Sequence, residues 1–142
     1  VEDFFAAFDG KKPEPVAKSL RESDLPDGMV VCEVVSLAPV FVDKVGAHAL
    51  RWELIVRHGE FDGKKLQASA LMAGWRIDQV CGGLANIGCK GELVTDIVRD
   101  AMEVLPGQVV RFRKTSTTSP KTGKTYHDLH PVGIVSGESL PF

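Results

Sequence analysis

Ala47-His48-Ala49-Leu50-Arg51-Trp52-Glu53-Leu54-Ile55-Val56-Arg57 alternates with the period of a β-strand: Leu50, Trp52, Leu54 and Val56 fall on one side, Arg51, Glu53, Ile55 and Arg57 on the other. Successive side chains of an extended chain point to opposite faces, so the pattern describes a half-buried strand. Upstream, Pro26-Asp27-Gly28 supplies turn chemistry. The valine-rich run from Met29 to Val40 then predicts an earlier strand, with Val30, Cys32 and Val34 on one face and Val31, Glu33 and Val35 on the other. Downstream, His58 to Lys65 contains Gly59, Asp62 and Gly63, the composition of a hairpin loop, and Leu66 to Leu71 returns as a third strand. The three strands form a meander.

The period then changes. Ile77, Val80, Cys81, Leu84 and Ile87 recur at helical spacing up to Gly88, although Gly82-Gly83 weakens the interior of that helix. Leu93, Val94, Ile97, Val98 and Met102 repeat the pattern as far as Pro106-Gly107. Val110 and Phe112 alternate with Val109, Arg111 and Arg113 in a fourth strand, and Tyr126 to Val135 forms a fifth beyond the turn-forming Ser119 to Lys124. This order predicts a mainly β protein: a five-stranded Greek-key barrel of the oligonucleotide-binding (OB) type, with helices between strands three and four. Residues 1–27 read as an N-terminal arm opening with a short helix over Asp3 to Phe8, 28–135 as the domain, and 136–142 as a tail.

A chain of 142 residues with 44% hydrophobic side chains can bury a core without staples or metal. No apolar run approaches the roughly 20 residues of a membrane span, and the opening residues lack the basic and apolar regions of a signal peptide, so a cytoplasmic protein with no membrane partner is expected. Cys32, Cys81 and Cys89 are an odd number and read as reduced core thiols. The net charge of −2 conceals an uneven distribution. Between Glu103 and Asp128 there is no acidic residue, while Arg111, Arg113, Lys114, Lys121 and Lys124 all lie there.

Cys81, Cys89, His127 and His130 are wrongly spaced for structural zinc, which draws cysteines from close pairs. The sequence has no phosphate-binding glycine loop, nucleophile elbow or suggestive carboxylate pair, so neither an enzyme nor a cofactor is expected.

Three segments carry a family resemblance: Leu25 to Val31, Leu50 to Val56, and the hairpin Gly59-Glu60-Phe61-Asp62-Gly63-Lys64. In this order and spacing the chain resembles, as far as about Ile134, a phage and prophage family related to single-stranded DNA-binding proteins. The resemblance implies the same barrel and a role in DNA replication, recombination or repair. Separately, Glu138-Ser139-Leu140-Pro141-Phe142 is similar to the tip of bacterial single-stranded DNA-binding proteins, although Glu138 is the only acid where that pattern has several. That similarity implies recruitment of replication or recombination proteins through Leu140, Pro141 and Phe142.

Single strands are held by cations along the phosphates and by aromatic faces on which bases stack. Arg111 and Arg113 share the face opposite Phe112, and Arg51 and Arg57 the face opposite Trp52. Lys64 and Lys65 lie in the third-strand hairpin, and Lys114, Lys121 and Lys124 in a basic wall beside the binding face. Tyr126 is the first candidate for stacking, Trp75 beside Arg76 the second and Phe61 the third, whereas Trp52 belongs to the core. A rival reading makes the barrel a protein-interaction module. A homo-oligomer built through strand edges or the arm is compatible with either.

Overall fold

The computed structural model of the chain describes residues 2–12 and 19–135. Its elements run α1 (Glu2–Phe8), β1 (Leu20–Arg21), a 3-10 turn (Glu22–Asp24), β2 (Gly28–Val42), β3 (Ala47–Val56), β4 (Lys65–Leu71), α2 (Arg76–Asn86), α3 (Val94–Val104), β5 (Val109–Thr118) and β6 (Thr125–Ile134). The strands form one sheet in the order β1-β4-β3-β2-β5-β6, curled into a half-barrel.

The expected count therefore needs correction. The sheet has six strands rather than five, and the helices α2 and α3 fall between its fourth and fifth. The additional strand is β1, where Leu20 and Arg21 pair in parallel with Leu66 and Gln67 of β4. Leu25, which the composition assigns to the arm, is buried in the core. Residues 20–25 of the stretch read as an arm thus contribute to the sheet and the core.

β2 is shared between two ladders. Its first half, Gly28 to Glu33, pairs with β5, and Cys32 to Val42 pairs with β3. A bulge at Val35 changes the phase between these halves, so that Val34 and Leu37, an odd number of residues apart, are both buried. An extra residue increases local bend and twist, which curls the sheet around its contents. Those contents include Trp52, Leu54, Val56, Leu66, Val110 and Phe112, with the Trp52 and Phe112 rings edge to face at 5.2 Å.

Among the described residues the sheet ends at β1 and at β6, and no ladder joins β4 to β6. The helix α2 packs against both β4 and β6, and Leu84 enters the core from it. Gly83 explains the glycine pair inside this helix: a Cβ there would lie 3.3 Å from the Pro131 ring of β6. Gly91 answers a similar demand at α3, where a side chain would come within 2.7 Å of Ile97 N. No described helix is long and apolar enough to cross a membrane.

Candidate nucleic-acid interface

Strand pairing assigns each cation to a face. Cross-strand partners share a side of the sheet, so Arg113 stands between Met29 of β2 and His130 of β6, and Arg111 between Val31 and Gly133. Both arginines are exposed, and neither has an ion-pair partner among the described residues. Phe112 between them is fully buried. The expected division of this strand into apolar and cationic faces holds for these three residues.

It does not hold for Lys114. The alternation that puts Phe112 inside puts Lys114 inside as well, and its side chain is only 3% exposed. Its ammonium donates to Asp27 Oδ1 at 2.9 Å, and Ser116 Oγ donates to Asp27 Oδ2 at 2.7 Å. The Ser116 hydroxyl foremost, and then the Lys114 ammonium, hold the Asp27 carboxyl below its usual range. Lys114 is tied into the fold at the turn preceding β2 and cannot form part of a basic wall on the surface.

Two further cations are neutralised where they stand. Arg57 donates to Glu33 Oε1 at 2.6 Å, across the outer side of β2 and β3. Arg76, in the first turn of α2, donates to Asp128 Oδ1 of β6 at 2.9 Å. This second pair has a positional consequence. Asp128 lies two residues from Tyr126, so both point to the same side of β6, and the ion pair carries Trp75 to that end of the strand. Trp75 is 70% exposed with the Arg76 guanidinium 5.2 Å from its ring centre, and Tyr126 is 48% exposed opposite Thr117.

The other cations expected at the interface have no ion pair among the described residues and fall into two groups. Arg111, Arg113, Lys121 and Lys124 belong to the β5–β6 ribbon and its turn, on which Tyr126 also stands. Arg51, Lys64 and Lys65 belong to β3, β4 and the loop between them. Lys64 lies 5.6 Å from the centre of the half-buried Phe61 ring, and Lys65 pairs with Ile55. Arg51 opposes Ser69 and Ala38, where its Nε is buried without a hydrogen-bond partner among the described residues. The Glu33–Arg57 pair stands between the groups.

Pairing also brings together residues that the sequence leaves far apart. A cleft of about 340 Å³ beside Arg111 is lined by Pro26, Met29, His58 and Phe61. Met29 and Phe61 are 32 residues apart, and their convergence follows from β2 lying next to β3, which no single-strand pattern reports. Trp52 is core, as its alternation requires. Leu140, Pro141 and Phe142 lie outside the described residues.

Comparison with protein-family models finds no match, and comparison with curated proteins finds none either. No group of three or more histidine, cysteine or acidic side chains among the described residues could hold a metal ion. The three thiols are buried; desolvation pushes Cys32 up to about 12 and Cys89 to about 11, and raises Cys81 as well.

Proposed function

We propose that the chain binds single-stranded DNA without sequence preference, through the outer face of a barrel of the OB type. The observation that carries this reading is the pair Arg111 and Arg113, exposed side by side and unneutralised on a strand whose other face is core. Tyr126 and Trp75 present exposed rings at one end of the same ribbon, and Met29 and Phe61 flank an apolar cleft next to Arg111. Phosphates along the arginines with bases on the neighbouring rings is the arrangement such binding uses, each stacked base contributing about 1 to 3 kcal/mol. The path would run from the β5–β6 turn across β2 towards Lys64, Lys65 and Arg51. Lys114, Arg57 and Arg76 take no direct part, since their charges are committed to Asp27, Glu33 and Asp128. The family resemblance supports DNA as the polymer.

The test is a titration of labelled oligothymidine, about 30 nucleotides to span one or more sites, with the matching duplex alongside, at several salt concentrations. The expected outcome is single-strand binding that weakens with salt at a log–log slope of about −0.7 for each neutralised phosphate, with weak duplex binding. Absence of single-strand binding at low salt would sink the reading. A protein-interaction module would then stand in its place, favoured by the apolar groove described next.

A further inference from the structure

At the end of the sheet away from the β5–β6 turn, a groove of about 660 Å³ opens between the β2–β3 hairpin and α3. Its walls are almost wholly apolar: Pro39, Met72, Ile77, Val94, Val98 and Met102. The charged or titratable groups lining it are Arg99 and His48, and no acidic side chain lines it.

The described chain contains a second apolar surface without a partner. Phe4, Phe5 and Phe8 of α1 are 63%, 65% and 54% exposed. They touch one another, with ring centres 5.6 Å apart for Phe4 and Phe5 and 5.0 Å for Phe4 and Phe8. The spacing of four residues puts Phe4 and Phe8 on one helical face. The segment from Glu2 to Asp9 carries three acids and no base, the complement of the groove's Arg99 and His48.

We propose that α1 of one copy docks in this groove of a second copy, and that the exchange is reciprocal, making a two-fold dimer. Phe8 and Leu20 are twelve positions apart, a tether of at most about 40 Å when extended, so the helix can cross to a neighbour. Area decides between one contact and two. A phenylalanine buries about 200 Å², so the exposed part of each ring here comes to about 120 Å² and that of the three to about 360 Å². With an equal area of groove covered, one docked helix removes about 700 Å² from water, the size of an adventitious contact, and two remove about 1,400 Å², within the range of stable complexes. A two-fold axis supplies the second contact, because each copy offers both a helix and a groove.

The experiment is sedimentation of the full 142-residue chain over a wide concentration range, beside two variants. Phe4→Ser/Phe5→Ser/Phe8→Ser removes the helix face, and Val94→Glu/Met102→Glu spoils the groove; all five positions are exposed, so folding should persist, and circular dichroism checks it. The wild type should dimerise, and each variant alone should dissociate at concentrations about thirtyfold higher or more, the loss expected for buried aromatic anchors. An equal mixture of the two variants regains one of the two contacts, the groove variant's helix in the other variant's groove, and should associate more weakly than the wild type but more strongly than either variant alone. A wild type that stays monomeric throughout would overturn the proposal, as would a dimer that survives in the helix variant. A monomer whose thermal midpoint falls in the helix variant would mean that α1 covers the groove of its own chain, which overturns the exchange too.

Discussion

The two faces of β5 carry cations of opposite kinds. On the outer face Arg111 and Arg113 are exposed and unpaired; on the inner face Lys114 is buried beside the Phe112 layer and fastened to Asp27. A guanidinium in water keeps its hydration until a phosphate displaces it, whereas an ammonium taken out of water must find its counter-charge within the fold. Charge alone therefore says little about what a lysine or arginine does, and the phase of the strand says most of it.

Substitutions on this strand should separate the faces. The largest effect is expected for Phe112→Ala, which empties the space against Trp52 and should cost about 3 to 5 kcal/mol in denaturant unfolding. Next comes the buried pair, where the order of two variants matters more than either value. Asp27→Ala leaves the Lys114 ammonium buried without its partner, while Lys114→Met removes the buried charge and leaves Asp27 free to face water; the first should lower the melting temperature more than the second. Equal losses would mean that Lys114 escapes to solvent and is no part of the interior.

Acid titration sharpens the same contrast. Because the folded carboxyl of Asp27 sits below its ordinary 3.8, its contribution is complete above that pH and is lost as pH falls through the depressed value. Glu22 has the opposite sign. Burial foremost raises its carboxyl above 4.5, against the lowering effect of the bond it accepts from Ser69 N at 2.5 Å, so folding is favoured as pH falls through the raised value towards 4.5. Asp27→Asn should flatten the stability profile below pH 3.8, and Glu22→Gln the segment just above 4.5, in denaturation measured across a pH series. The smallest stability effect belongs to Arg111→Ala/Arg113→Ala, within about 0.5 kcal/mol of wild type. That same variant should make the salt dependence of single-strand binding shallower by about 1.4, two phosphates' worth. An unchanged slope would take the outer face of β5 out of the interface.

The strands from Met29 onward and both helices are legible because their side chains repeat at the period of their element. Trp52 and Phe112 are assignable to the interior for the same reason. The inward position of Lys114 is legible too, two residues beyond Phe112 on the same face, but the density of positive charge in that segment suggests a surface role instead. Other features have no local pattern to read. β1 is two residues long and exists only because β4 lies beside it. The bulge at Val35 shifts a phase that valine-rich sequence leaves open. Ion pairs joining residues 24, 52 and 87 positions apart decide which cations are neutralised, and a count of charges along the chain cannot report them.

The sharing of β2 between two ladders sets the order in which this chain can assemble. Its pairing with β3 joins near neighbours, and β5 with β6 closes a short hairpin, so both can form early. Joining them requires Gly28 to meet Lys114 across the whole intervening chain, helices included, an entropic cost met before any contact compensates for it. Refolding kinetics should therefore place β2–β5 contacts, tested through Val30→Ala, late in the reaction, and a high φ-value there would refute that order. The ladder that presents Arg111 and Arg113 would then be the last part of the protein to be made and the first to open.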